Sequence, residues 1–147
     1  MRTIIIQTPE FRLAWPNLDK PYAFQGNGSQ YYGCTALFDG GQVPVQMARL
    51  AQLTAEDYFG EKKAHAVRMP FKEGRKYENG LDYSAYMTVN LKSKVRPLMR
   101  VLEDGDAVFR ARPGDFYAGV YCCAEVEAFA YDQMGHRGVG MHLLSIT

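Results

Sequence analysis

A run of aromatic, polar and cationic side chains at residues 83–97 has the composition of a ligand-binding surface. Apolar and polar residues alternate there, so the odd-numbered positions up to residue 91 are predicted to face the core. The other face carries Tyr86, Asn90 and Lys92, and Lys94 and Arg96 continue it along the chain. Because aromatic rings stack on bases and cations hold phosphates, the pattern predicts a sheet that binds nucleic acid.

The charge of the chain is unevenly distributed, although its formal net charge is only +1. Residues 60–112 hold 12 Lys and Arg against 7 Asp and Glu, a net charge of +5, whereas the remainder has a net charge of −4. Such a local excess supplies a salt-sensitive attraction to phosphate. A solvated surface without a ligand is the alternative, and the neighbouring aromatic residues favour binding. The further candidate phosphate contacts are Arg68, Lys72, Arg75, Lys76 and Arg112.

A second alternating stretch, nearer the C-terminus, places aromatic side chains on one face and small apolar ones on the other. The apolar face is predicted to be core. The other face has Tyr117 and Tyr121 at one end, Phe129 and Tyr131 at the other, and two glutamates between them. Tyr117 and Tyr121, together with Tyr86, are our candidates for base stacking. Covering a neighbouring hydrophobic patch is the alternative role for these tyrosines.

Strand and turn patterns predict a β-rich chain with one helix. Pro16 is expected to end the first strand, and Gly119 to bend the long strand that precedes the last one. Met47, Leu50 and later residues recur at helical spacing, which predicts a helix over about residues 43–59. The strands are predicted over residues 11–15, 30–38, 83–92, 95–102, 117–131 and 139–146.

These elements fit a single domain over residues 1–147, a length that buries roughly two thirds of the unfolded surface. The basic stretch over about residues 61–80 has no clear periodicity and is predicted to be a mobile connection, and such long loops are usually functional. A long, strongly bent strand is typical of small barrels. The predicted fold is all-β with one helical insertion: an OB fold, which is a five-stranded Greek-key barrel.

Membrane, targeting and disulfide patterns point to a cytosolic protein. No apolar run approaches the roughly 20 residues of a membrane span. The apolar opening of the chain is too short for a signal sequence. The three cysteines do not form a disulfide framework, and the adjacent Cys122 and Cys123 would point to opposite faces of a strand. We expect them to be reduced, in or near the core.

The residue types with catalytic or metal-binding chemistry do not form a recognisable site in the sequence. His65, His136 and His142 share no ligand-like spacing with the cysteines, so no zinc site is predicted. The acidic residues 103–106 could serve a metal-dependent nuclease, but such a segment is also an ordinary hairpin turn, which we favour. We therefore predict no catalytic residue, no metal and no cofactor.

Four segments, taken in order, resemble the single-stranded-DNA-binding proteins of tailed phages, which are related in fold to the T7-type binding protein. Each segment alone is weak evidence for this family, but the shared order and spacing of all four make the match fairly specific over nearly the whole chain. The segments are RLAWPNL at residues 12–18, QYYGCTALF at 30–38 followed by the predicted helix, NLKSKVRP at 90–97, and FYAGVY at 116–121 with AFAY at 128–131.

The resemblance implies an OB-fold protein that coats single-stranded DNA during phage replication and recombination, without catalysis, in the host cell cytoplasm. Phage replication proteins would be further partners. In such families an acidic tail commonly recruits them, whereas this sequence ends at Thr147 without one, so either the tail was removed or this member lacks it. Duplex DNA and RNA stay open as ligands, as does the oligomeric state. From the residues alone, a phage structural or protein-interaction module is the alternative function, and a divalent-metal nuclease is the third.

Overall fold

The structure is a computed structural model, and it describes residues 4–23, 30–103, 105–108, 115–133 and 135–147. The helices are α1 (Val45–Phe59) and α2 (Glu61–Ala64). The strands are β1 (Ile5–Gln7), β2 (Phe11–Ala23), β3 (Gln30–Asp39), β4 (Phe71–Glu73), β5 (Tyr86–Ser93), β6 (Leu98–Met99), β7 (Val101–Glu103), β8 (Asp106–Val108), β9 (Tyr121–Cys122), β10 (Ala124–Gln133) and β11 (His136–Ile146).

Nine of these strands form one curled sheet in the order β1-β10-β11-β5-β3-β2-β9, with β4 paired to β5 and β6 to β11. β5 and β11 run parallel, and the other neighbours along this path are antiparallel. β1 and β2 lie on one stretch of chain and β9 and β10 on another. The pairs β1–β10 and β2–β9 join these two stretches, so the sheet curls back on itself.

The long strands β2, β3, β5, β10 and β11 form the wall of this curled sheet, and the remaining strands are short additions to it. This arrangement confirms the predicted OB-type, mainly β architecture with one substantial helix, with more strands than the five expected. The hairpin of β7 and β8 stands apart from the main sheet.

The core lies inside the curled sheet and beneath α1. The inward side chains of the strands include Phe11, Leu91 and Met141, all fully buried. Helix α1 packs against β10 and β11 and buries Met47 and Leu50 at the spacing that predicted it. Burial of this apolar face holds the helix on the sheet, because a helix of this length is only marginally stable by itself.

The first long strand differs from its prediction. β2 does not end at Pro16 but continues to Ala23, and its register against β3 shifts on both sides of Asn17. Such irregularities tolerate a proline, because the ladder is already interrupted there. Trp15 lies at the first shift with φ 49°, the one positive φ of a non-glycine residue in the described part of the chain.

β5 begins later than predicted. The Asp82 carboxylate accepts hydrogen bonds from the backbone N–H of Ser84 at 3.0 Å and from its hydroxyl at 2.6 Å, which forms a turn just before the strand. The strand therefore starts at Tyr86. Tyr83, which alternation placed on the core face, is instead half-buried at the surface.

Two further strand predictions are confirmed in part. The strand expected over residues 95–102 is divided into β6 and β7. β7 pairs with β8, and Glu103 lies opposite Asp106, so the described residues of the acidic segment form a hairpin as predicted. Asp104 lies outside the described residues. The last strand, β11, begins at His136, three residues before its predicted start.

The strand predicted over residues 117–131 is interrupted near its start. A turn at Ala118 and Gly119, where Gly119 has φ 98°, precedes β9 and β10, so the expected bend is a turn and Ala118 is exposed. Farther along, Cys122 is buried and Cys123 half-buried, as their opposite directions require. Burial raises the pKa of Cys122 to about 12, which keeps it a neutral thiol. All three cysteines are free.

The basic connection over residues 61–80 contains regular structure despite its lack of sequence periodicity. It includes α2 and β4, and Ala64 and Val67 are buried in the core. Gly74 lies against the backbone of Tyr83, where a side chain would have no room. These contacts attach the connection to the domain, and its mobility stays a prediction.

Candidate nucleic-acid interface

A groove of about 560 Å³ lies on the outward face of the sheet, where β5, β11 and β10 are neighbours. Below it is called the basic groove. Five of the predicted site residues line it: Arg68, Lys72, Asn90, Lys92 and Lys94. Aromatic side chains from β3, β10 and β11 also line it: Tyr31, Phe129, Tyr131 and His142. The sheet thus brings cations and rings from distant parts of the sequence to one surface.

The alternation of β5 forms part of the floor of the basic groove. Val89 and Leu91 are buried in the core, whereas Asn90 and Lys92 are exposed on the groove side, which confirms the predicted faces of this strand. Thr35 of the neighbouring β3 donates a hydrogen bond to the Asn90 side-chain oxygen at 2.8 Å. This bond orients the Asn90 amide group on the floor.

Two aromatic rings cover glycines on the neighbouring strand. In the antiparallel β10–β11 pair, Phe129 lies opposite Gly140 and Tyr131 opposite Gly138. A side chain at either glycine would collide with the ring opposite, so the glycines make room for the rings to lie over β11. Phe129 also stacks on His142, with ring centroids 4.0 Å apart and planes 16° apart. Below, Phe129, Tyr131 and His142 are called the aromatic platform.

The glycine beneath Phe129 gives a direct test of this placement. We expect Gly140→Val to lower the melting temperature, because the new side chain must displace the ring at a cost of about 1–3 kcal/mol. The matched control is His136→Val, which introduces the same side chain at an exposed position of β11. Equal melting temperatures for the two variants would contradict the position of Phe129 over Gly140.

Residues 68–73 form one side of the groove, because they fill the gap where the parallel strands β5 and β11 separate. The backbone N–H of Arg68 donates to the Arg137 carbonyl at 3.0 Å, and the Arg68 carbonyl accepts from the Val139 N–H at 2.9 Å. Three residues further on, β4 pairs with β5 instead. Hydrogen bonds to both strands therefore position the exposed side chains of Arg68 and Lys72 beside the floor.

Two of the predicted stacking tyrosines lie outside the basic groove and share one cation. The Tyr86 hydroxyl accepts a hydrogen bond from Arg12 Nη1 at 3.4 Å. The Arg12 guanidinium also lies 5.1 Å from the centroid of the Tyr121 ring. The hydrogen bond to Tyr86, followed by the nearby Tyr121, raises the pKa of Arg12, which keeps the guanidinium charged.

Three predicted phosphate contacts also lie outside the groove. Arg96 forms an exposed ion pair with Asp19 at 3.2 Å. The guanidinium of Arg75 lies over the ring of Tyr77, 4.5 Å from its centroid. Lys76 is exposed next to Tyr77 in the sequence. The predicted cations outside the groove therefore lie in two places: Arg96 just beyond the end of β5, and Arg75 and Lys76 near its start.

Two of the predicted stacking tyrosines lie at the surface near β9. Tyr117, just before this strand, is 59% exposed, and Tyr121, its first residue, is 52% exposed, so both rings are accessible. Arg112 lies outside the described residues.

The sequence-based site prediction missed the aromatic side chains of the groove: Tyr31, Phe129, Tyr131 and His142. Alternation had placed Phe129 and Tyr131 on the outward face, so their side of the sheet was predictable. The overlooked signal is Gly138 and Gly140, two glycines on one face of the next strand, which leave space for large rings opposite. His142 gave no such signal, because only the parallel pairing of β11 with β5 brings it to the groove.

Two acidic residues of β10 lie against basic side chains of β11. His142 Nδ1 lies 3.2 Å from a carboxylate oxygen of Glu127, and Arg137 pairs with Asp132 at 3.4 Å. Within the described ranges, no group of three or more His, Cys, Asp or Glu side chains could hold a metal ion. Across the same ranges, no helix is long and apolar enough to cross a membrane.

A curled, mainly β barrel with a basic and aromatic groove on its outward face is typical of OB-type proteins that bind nucleic acid. The chain belongs to the family of the single-stranded-DNA-binding protein of Enterobacter phage Enc34, whose family model matches residues 3–147. This match confirms the phage family that the sequence resembles. It also confirms the interpretation of the chain as a binding protein rather than an enzyme, because the family is one of DNA-binding proteins.

Solved structures of such proteins share the fold. The single-stranded DNA-binding protein from bacteriophage Enc34 in complex with ssDNA is 18% identical, with a TM-score of 0.77 over 97% of this chain and 84% of that chain. The single-stranded DNA-binding protein gp2.5 encoded by bacteriophage T7 is 12% identical, with a TM-score of 0.65 over 99% of this chain and 85% of that chain. No curated protein matches the sequence.

Proposed function

We propose that this protein binds single-stranded DNA in the basic groove with little sequence preference. One observation carries the proposal: the groove places Arg68, Lys72, Lys92 and Lys94 against the aromatic platform. Cations attract phosphates whatever the base, and every base has a π-face that can stack on a ring. Membership in a family named for a single-stranded-DNA-binding protein supports the same ligand.

The cations and the aromatic rings of the groove have different roles in binding. The four cations hold phosphates, while Phe129 and Tyr131 stack bases. Arg96 can join the phosphate contacts, because an exposed ion pair such as the one with Asp19 contributes only about 0–1 kcal/mol and exchanges easily for a phosphate. The remaining contacts predicted from the sequence stay proposals of this function: Arg75, Lys76, Tyr86, Asn90, Arg112, Tyr117 and Tyr121.

The proposed role is to coat single-stranded DNA during phage replication and recombination in the host cell cytoplasm. Contacts made through phosphates and ring faces suit this role, because a coating protein must accept any sequence. Phage replication proteins are the proposed further partners, and no cofactor is needed for binding of this kind.

Titration of labelled oligo-dT, a matched duplex and a matched RNA at several salt concentrations tests the function. We expect the logarithm of the binding constant for oligo-dT to fall linearly with the logarithm of the salt concentration, by about 0.7 per neutralised phosphate. Roughly three to six phosphate contacts would give a slope of about −2 to −4. The duplex should bind more weakly, because stacked and paired bases cannot reach the platform.

Other outcomes of this titration would change the proposed mechanism, ligand or function. An isotherm that does not change between low and high salt would remove the electrostatic part of the mechanism. Tighter binding of the duplex, or of a matched RNA, would replace the ligand. Absence of binding to every nucleic acid at low salt would favour a protein-interaction module.

A further inference from the structure

A second group of aromatic side chains lies at the opposite end of β5 from Lys92. Trp15, Tyr77, Tyr83 and Tyr86 form a chain of edge-to-face contacts with ring centroids 5.8 to 6.5 Å apart. Below, these four residues are called the aromatic cluster. They lie at the surface, since Trp15 is 44% exposed and the other three are half-buried. Rings held in fixed orientations at a surface can stack on an incoming base.

The backbone of Trp15 shows that its position is not explained by core packing. Its φ of 49° lies in the left-handed region, which is strained for a side chain of this size. A large apolar residue that is strained and also nearly half exposed adds little to the core. Backbone strain of this kind clusters at active sites and ligand-binding sites.

The aromatic cluster has cations on two sides. Arg75 lies over the Tyr77 ring at 4.5 Å from its centroid, and Arg12 donates to the Tyr86 hydroxyl. Asp39 lies opposite Tyr86 on β3 and is the acidic group nearest in register to it. Two guanidinium groups beside rings at the surface repeat the composition of the basic groove, which suits a ligand with phosphates and flat bases.

The aromatic cluster is continuous with the basic groove along one face of β5. Tyr86 and Lys92 are six residues apart on this face, which corresponds to about 20 Å at roughly 3.3 Å per residue. Polar groups occupy the interval: Lys72 lies opposite Thr88, whose hydroxyl donates to the Lys72 carbonyl at 2.9 Å, and Asn90 follows. A single strand can therefore follow the face without crossing an apolar patch.

We propose that the aromatic cluster is a second base-stacking subsite for the strand that occupies the basic groove. The inference rests on the proposed function, since the ligand is the same single-stranded DNA. The strand runs along β5 from Lys92 to Tyr86, so that bases stack at both ends and phosphates pass Lys72 between them. At about 3.4 Å per nucleotide, the roughly 20 Å between Tyr86 and Lys92 corresponds to about six nucleotides. This number lies within the range of about 4 to 16 nucleotides that one OB fold covers.

Trp15 provides the test, because it is the one tryptophan of the sequence and reports on the aromatic cluster by its own fluorescence. Labelled dT16 is titrated at low salt while anisotropy of the label and emission of Trp15 are followed together. We expect emission to be quenched in parallel with the rise in anisotropy. Tyr77→Leu, which keeps an apolar side chain but removes the ring, should weaken binding about 5- to 150-fold. Tyr58→Leu is the control, because it removes the same ring from α1, where Tyr58 is 49% exposed and contacts Phe59.

The outcomes separate this inference from the proposed function. Unchanged Trp15 emission at saturating anisotropy would overturn the second subsite and leave binding in the basic groove intact. The same conclusion holds if Tyr77→Leu binds like the parent. Absence of any anisotropy change would instead remove the proposed function. The emission measurement needs no substitution, so it decides the case even if Tyr77→Leu folds poorly.

Discussion

Phe129→Leu and Tyr131→Leu are each expected to weaken the binding of mixed-sequence single-stranded DNA by roughly 5- to 150-fold. Stacking on a base is worth on the order of 1 to 3 kcal/mol per ring, and leucine retains apolar volume over the facing glycine without a π-face. Tyr131→Phe should bind almost as tightly as the parent, because the ring and not the hydroxyl stacks. Anisotropy of a labelled oligonucleotide measures all three affinities.

Melting temperatures measured on the same variants distinguish stacking from core packing. If a ring only supports the fold, its replacement leaves a cavity. The substitution then lowers the melting temperature as well as the affinity. Half-buried rings over glycines should lose affinity with a much smaller change in stability. If Phe129→Leu and Tyr131→Leu bind DNA like the parent, the platform does not contact bases and Tyr86 and Tyr121 become the stronger candidates.

Local alternation predicted the part of the site that lies on β5. A residue pattern of period two fixes which side chains share a face, and Val89, Asn90, Leu91 and Lys92 follow it in the structure. The same rule failed at Tyr83, because the hydrogen bonds of Asp82 form a turn there and the strand begins only at Tyr86. Alternation identifies faces within a strand but does not show where the strand begins.

The groove itself depends on pairings between residues distant in the sequence. His142 reaches Lys92 only through the parallel pairing of β11 with β5, and Arg68 reaches the same surface through backbone bonds to β11. No local pattern contains such pairings. The charge excess of residues 60–112 did predict that this part of the chain would supply cations, but not which of them would converge.

The course of β2 shows a second limit of local rules. Pro16 predicts a strand end when read alone, since proline cannot donate to a ladder. The register shifts beside it let β2 continue and leave Trp15 in a left-handed conformation at the surface. Trp15 contacts the other rings of the aromatic cluster from this irregular position, which no local pattern in the sequence predicted.

Changing Lys72, Lys92 and Lys94 together to Ala should weaken oligo-dT binding roughly 100-fold at about 0.1 M salt. Each cation that neutralises a phosphate contributes about 0.7 to the salt slope, which amounts to about 0.7 logarithmic units of affinity at that salt concentration. The triple variant should therefore also flatten the slope by about two. Titrations of the parent and the variant at four or five salt concentrations measure both quantities.

The matched control removes the same charge from another surface. Arg49, Lys62 and Lys63 are exposed on α1 and α2, and changing all three to Ala lowers the net charge equally. If attraction depends on the total charge alone, the two triple variants will lose affinity to the same extent, which would contradict specific phosphate contacts in the basic groove. If the contacts are those of the groove, the control keeps the salt slope of the parent, because a cation changes this slope only when it releases a counterion from a phosphate that it touches.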